Sequence, residues 1–152
     1  MYLEWDETEM KSFPDCFPKN FATDILPAGA VEENKTVYRV IKYGILNRDS
    51  YVGTYEEIIK GLMPPGRREL DLSKPGTYST SCYLEKSELE YFLKLCMRHH
   101  PAAFIAKGTT AADCGPSQLT SDREPRDDTH VDWWIYKDAE PQSYFEEVLE
   151  NE

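Results

Sequence analysis

His130-Val131-Asp132-Trp133-Trp134-Ile135-Tyr136 is the strongest strand signal in the chain, and the fold has to be built around it. Side chains of a strand leave alternate faces, so Val131, Trp133 and Ile135 share one side while His130, Asp132, Trp134 and Tyr136 share the other. The first set reads as core. On the second, Trp134 and Tyr136 are the candidates for a ligand or protein contact, flanked by the polar pair His130 and Asp132.

Working upstream, the Lys74-Pro75-Gly76 turn signal introduces a second strand over Thr77 to Leu84. The run TVYRVIKYGI from Thr36 to Ile45 reads as another, with Val37, Arg39, Ile41 and Tyr43 on one face, and Ala102 to Lys107 as a brief fourth. An arginine on such an apolar face is expected to pair with a carboxylate or to snorkel.

Two capping-box spacings, Thr54 with Glu57 and Ser87 with Glu90, open helical patterns. The second pattern carries Leu89, Phe92, Leu93 and Cys96 as a stripe expected in the core. After Pro141, a short acidic helix is expected to present Tyr144, Phe145, Val148 and Leu149. Residues 1–35 scatter Pro14, Pro18 and Pro27 among Trp5, Phe13, Phe17 and Phe21, which suits an ordered arm with apolar anchors. Gly108 to Asp127 shows no periodicity and reads as a long loop of the kind that serves as a lid or binding segment. The expectation is a single compact α+β domain over 1–152, with a mixed or largely antiparallel sheet of four to five strands and about three short helices.

Composition narrows the function. Acidic residues outnumber basic ones 28 to 17, a formal charge of -11, so the long-range field repels a phosphate backbone and an anionic membrane alike. Direct nucleic-acid binding and membrane binding are disfavoured, and a protein partner with a basic surface is favoured. The acid-rich start Met1-Tyr2-Leu3-Glu4-Trp5-Asp6-Glu7 lacks the basic region of a secretory signal, and a cytoplasmic protein is the expectation. Cys16, Cys82, Cys96 and Cys114 form no C-x-x-C pair and read as buried thiols.

The i, i+2 pair His130 and Asp132 has the spacing of the first two ligands of a facial-triad iron site. Its third ligand is missing, since His99 and His100 lie upstream, so a hydrogen-bonded His and Asp is expected and no metal. The sequence offers no ordered Ser-His-Asp set, no phosphate loop and no nucleophilic cysteine motif.

Tyr38-Arg39-Val40 followed by Tyr78-Ser79-Thr80-Ser81 resembles the opening of the ADP-ribosyltransferase fold, in which an arginine strand precedes a Ser-Thr-Ser strand. The resemblance covers about residues 36 to 95. It implies that Arg39 grips the phosphates of NAD, that Ser79, Thr80 and Ser81 line the nicotinamide pocket, and that Tyr78 stacks near the ring. The family's third motif, a Glu or Gln two residues before the catalytic Glu on a turn or strand well after the Ser-Thr-Ser segment, is missing there; Glu88-Leu89-Glu90 has the letters but sits only a few residues downstream, with Glu90 expected to partner Ser87 in a capping box. Glu88 and Glu90 are the candidate carboxylates on this reading, and NAD is the only cofactor it implies. The other expectation is a small acidic binding or regulatory protein, of the kind encoded by phage and mobile elements, without catalysis of its own.

Overall fold

The structure is a computed structural model and describes residues 11–64, 66 and 69–149. Six strands form one antiparallel sheet: β1 (Thr36–Ile41), β2 (Thr80–Tyr83), β3 (Phe104–Thr109), β4 (Ser117–Leu119), β5 (His130–Trp133) and β6 (Phe145–Glu147). Their order across the sheet is β4-β5-β2-β1-β3-β6. The expected α+β class is the one found, with one more strand than the sequence suggested.

The joint in the middle of this sheet is thin. β1 pairs with β3 over six residues, from Thr36 opposite Thr109 to Ile41 opposite Phe104, and β2 pairs with β5 over four. Between β1 and β2 the register holds only at Tyr38 opposite Tyr83. The sheet is thus two three-stranded halves hinged at that pair, and the backbone groups freed alongside it need other partners.

Arg39 supplies one, on β2, and ties it to the 50–52 segment. Its Nε donates to the carbonyl of Ser50 at 2.9 Å, Nη1 to the carbonyl of Ser81 at 2.6 Å, and Nη2 to the carbonyl of Val52 at 3.5 Å. The guanidinium also lies 5.7 Å from the centre of the Tyr51 ring. The expected carboxylate partner is replaced by backbone carbonyls, because a planar fork with five N–H groups satisfies several acceptors at once.

The two faces of the sheet bury different sets. Val37, Ile41, Cys82, Ala106, Val131 and Trp133 share one face and pack with Tyr51, Ile135 and Phe145. On the other, Val40 and Ile105 pack against Leu89 and Cys96, which belong to the short turn Lys86–Leu89 and the helix that continues it, Glu90–Met97. That helix is the second of two α-helices among the described residues. We label it α2, and Thr54–Ile59 α1. A π-helical turn spans Phe21–Ile25.

Several local expectations changed in the fold. Neither capping box forms: Gly53 occupies the N-cap of α1, and the Lys86–Leu89 turn is capped by Glu85 without a side-chain bond. Phe92 is half exposed, and of the stripe only Leu89 and Cys96 are fully covered. The expected C-terminal helix is a single 3-10 turn, Pro141–Tyr144, running into β6, where Phe145 enters the core and Glu146 and Glu147 stay outside. The stretch 108–127 holds β4 and two 3-10 turns, Ala112–Cys114 and Thr120–Asp122.

Of the arm expected over residues 1–35, residues 1–10 lie outside the described part, and residues 11–35 hold the π-helical turn and an isolated bridge from Val31 to Ser117. Phe17 and Phe21 bury against Tyr78 and Trp134, with Phe13 alongside. Ring contacts of 4.8 to 5.3 Å join Phe17, Phe21 and Tyr78 into one aromatic cluster. No helix among the described residues is long and apolar enough to cross a membrane.

Candidate functional site

The register between β2 and β5 sets Ser81 opposite Asp132 and Tyr83 opposite His130, so these four side chains share one face of the sheet. Helix α2 covers this face only over the β1–β3 half. Over β2, β5 and β4 it is roofed by the turns around 74–79 and 120–126, which leave a cleft of about 380 Å³. Lys74, Gly76, Ser81, Thr120, Arg123, Arg126, His130 and Asp132 are among the residues that line it. A second cleft of about 410 Å³ lies between Lys11, Asp113, Asp138, Glu140 and Tyr144, and the one buried titratable group in its lining is the Cys114 thiol.

Asp132 is the centre of the first cleft. Only 1% exposed, it accepts hydrogen bonds from Ser79 Oγ at 2.5 Å, Thr120 Oγ1 at 2.7 Å and Arg123 Nη2 at 2.7 Å. Burial alone would raise its pKa, yet the three donors outweigh it and hold the carboxyl below the usual aspartate value. Asp132 is therefore an ionised carboxylate fixed in place. Arg123 is itself held by the Gln118 side chain at 3.0 Å and lies 5.8 Å from the centre of the Trp134 ring.

From Asp132 the hydrogen bonds run outward with a definite direction. The carboxylate can only accept, so the single hydroxyl hydrogen of Thr120 points at it. Thr120 Oγ1 also lies 2.6 Å from His130 Nδ1, and with its hydrogen already spent it must accept there. His130 accordingly carries its hydrogen on Nδ1, and the Nε2 lone pair faces Ser81 Oγ at 2.9 Å. Burial lowers the His130 pKa, against the opposing pull of Asp132, so the ring is neutral near pH 7. Tyr83 braces it edge-on at 5.2 Å. Ser81 is exposed to the cleft mouth, while Ser79 is buried.

The sequence candidates scatter. Ser79, Ser81, His130 and Asp132 converge here. Arg39 does not: it shares its face with Val37 and Ile41, opposite to Ser81 and Asp132, and its N–H groups are engaged by backbone carbonyls. Thr80 is buried on that same far face. Tyr78 and Trp134 are buried in the aromatic cluster, Tyr78 donating to the Leu72 carbonyl and Trp134 Nε1 to the Pro75 carbonyl, so neither offers a contact surface. Tyr136 is 8% exposed and donates to Glu32. Trp134 and Tyr136 lie beyond the end of β5, where strict alternation no longer sets their direction.

Glu88 spends its carboxylate on the backbone N–H and hydroxyl of Thr129, and Glu90 is exposed at the start of α2. Neither lines the cleft. Thr120, Arg123 and Arg126, which sequence reasoning missed, come from the stretch read as loop. Alternating polarity there is too short to register as a strand, and the roles emerge only when β4 pairs with β5 through Gln118 opposite Asp132. No group of three or more His, Cys, Asp or Glu side chains is placed to hold a metal ion among the described residues. The thiols are no rival nucleophiles, since burial pushes Cys82 and Cys114 up to about 12.

Comparison with protein-family models, with curated proteins and with solved structures finds no match.

Proposed function

We propose that this cleft binds a nucleotide carrying phosphate, with NAD as the substrate class, and that its chemistry is ADP-ribosyl transfer or NAD hydrolysis centred on Asp132. The observation that carries this reading is the bond from Ser79, in the Ser-Thr-Ser segment, to Asp132 on a strand far downstream. The resemblance calls for a carboxylate two residues after a polar residue in the third motif. His130-x-Asp132 has that spacing, with His in place of Glu or Gln and Asp in place of Glu.

Breaking the nicotinamide bond builds positive charge on the ribose, and an ionised carboxylate locked by three donors stabilises it without reorganising. Phosphate recognition falls to Lys74, with Arg123 and Arg126 offering the N–H groups left over from their ion pairs with Asp132 and Asp128. Arg39 has no part in it. The test is nicotinamide release on incubation with NAD, beside calorimetric NAD binding. Wild-type release that falls at least about a hundredfold in Asp132→Asn with binding retained supports the reading; a wild type that neither binds NAD nor releases nicotinamide overturns it.

The acidic binding-protein reading keeps one specific support. β6 ends the sheet and carries exposed Glu146 and Glu147, an edge suited to a partner with a basic strand or surface. Capture of such a partner should weaken between low and physiological salt, and capture indifferent to salt counts against it.

A further inference from the structure

We propose that Ser81 is a nucleophile and His130 its general base, with Thr120 as a positioning residue that fixes the base's tautomer. Applied to NAD, this inference rests on the reading above, but the nucleophile is testable without it.

The argument is the direction of the hydrogen bonds. A serine hydroxyl is a weak nucleophile until a neighbouring base can take its proton. Here the base is neutral, faces Ser81 Oγ with its free nitrogen at 2.9 Å, and is oriented from behind through Thr120. Asp132 closes the chain by accepting the Thr120 hydroxyl at 2.7 Å, so its charge also favours the imidazolium formed when His130 takes the proton. Sequence reading could not assemble this set, because the groups stand in the order serine, threonine, histidine, aspartate on β2, a 3-10 turn and β5.

With NAD the step balances as follows. Ser81 Oγ forms a bond to the ribose anomeric carbon, and the bond from that carbon to the nicotinamide nitrogen breaks. Its electron pair leaves with nicotinamide, which departs neutral, and the Ser81 proton passes to His130 Nε2. Water or an acceptor hydroxyl, giving its proton to the same imidazole once that has lost the first one to solvent, bonds to the anomeric carbon; the carbon–Oγ bond breaks with its electron pair on Ser81, which recovers a proton from His130 Nε2.

The groups facing His130 define the pH dependence. Asp132 follows on β5, Asp128 precedes it, Arg123 and Arg126 come from the 120–126 segment, and Tyr83 comes from β2. Asp128 and Asp132 are held below the ordinary carboxylate value and Tyr83 and Arg126 are pushed above theirs, so one step through the His130 pKa, under the ordinary 6.5, is expected.

The experiment uses an aryl sulfonyl fluoride on the full-length protein, with the modified residue located by peptide mass spectrometry. Ser81 should label at least about tenfold faster than the exposed Ser87, with a rate that rises with pH through one step below 6.5 and then levels. His130→Gln should abolish the excess rate and the step. Thr120→Val should lower the rate and Thr120→Ser restore it, a rescue that a merely packing threonine would not give. Each variant is checked for native circular dichroism, and Ser81→Ala, at an exposed position, serves as the folded blank. Labelling of Ser81 no faster than Ser87, or unchanged in His130→Gln, overturns the proposal. Rapid Ser81 labelling in a protein that releases no nicotinamide leaves the nucleophile standing and removes NAD as its substrate.

Discussion

Ser79 Oγ donates to Asp132 Oδ1 across 2.5 Å, joining residues on β5 and just before β2 that are 53 positions apart in sequence. The contact ties the turn that roofs the cleft to the strand that floors it. Ser79 Oγ also lies 3.2 Å from the Gly76 carbonyl oxygen, but its single hydrogen is committed to Asp132. The three bonds to Asp132 let a charge be buried and fix the carboxylate in one place.

Removing that charge should be costly. Asp132→Ala leaves Arg123 beside an empty, mostly buried position and strips Ser79 and Thr120 of their acceptor, for an expected loss of about 3 kcal/mol in urea unfolding at pH 7. Asp132 has a depressed pKa in the fold, so its contribution is fully present above the unfolded value near 3.8 and is lost as pH falls through the folded one. The wild type should therefore lose stability below about pH 4. A variant matching the wild type at pH 7 would contradict the role given to the three bonds.

His130 titrates in a separate window. Its folded pKa lies below the ordinary 6.5, so the unfolded chain takes the proton first as pH falls. The stability it contributes is complete above pH 6.5 and is lost as pH drops through the folded value. Unfolding midpoints should decline between pH 7 and 5 in the wild type, and the decline should shrink in His130→Gln. An equal slope in both proteins would place the titrating group elsewhere.

The sheet was legible where period-two patterning was long enough, and the site was legible only in part. Val131 and Trp133 declared themselves core by alternation, and both are fully buried. Ser79, Ser81, His130 and Asp132 were visible as polar residues in strand-like runs, but their convergence depends on β2 lying beside β5, a pairing of distant segments that no local pattern encodes. β4 escaped because three residues carry too little periodicity, and Thr120 and Arg123 escaped with it. The C-terminal segment misled because Tyr144, Phe145, Val148 and Leu149 fit a helix, whereas sheet pairing opposite Gly108 claims Phe145 and the 3-10 turn ends at Tyr144.

Arg39 separates a structural from a ligand-gripping arginine. Arg39→Met removes a fork that serves the carbonyls of Ser50, Val52 and Ser81 at the hinge between the sheet halves, and should cost about 1 to 3 kcal/mol. Arg39→Lys should recover little, because one ammonium cannot span three separated acceptors. NAD affinity of the folded fraction should be unchanged. A large loss of affinity with stability intact would restore Arg39 to the binding site.

Gly53 offers a way to disturb the site without touching a polar group. A Cβ at this position would lie 2.4 Å from the Ser79 carbonyl oxygen and 2.9 Å from Tyr78 backbone atoms, so the start of α1 and the segment before β2 pack backbone to backbone. Gly53 has φ of -84°, which alanine adopts freely, so the substitution acts by contact alone. Gly53→Ala must push residues 78–79 away, stretching the Ser79 to Asp132 bond and loosening Tyr78 in its aromatic cluster. The expected cost is about 1 to 3 kcal/mol in denaturant unfolding, with slower sulfonyl fluoride labelling of Ser81 in the protein that remains folded. Because Gly53 reaches Ser81 only through the backbone of β2, an unchanged labelling rate at reduced stability would show that the Ser81 and His130 pair is held by β5 and Thr120 alone, independently of Ser79.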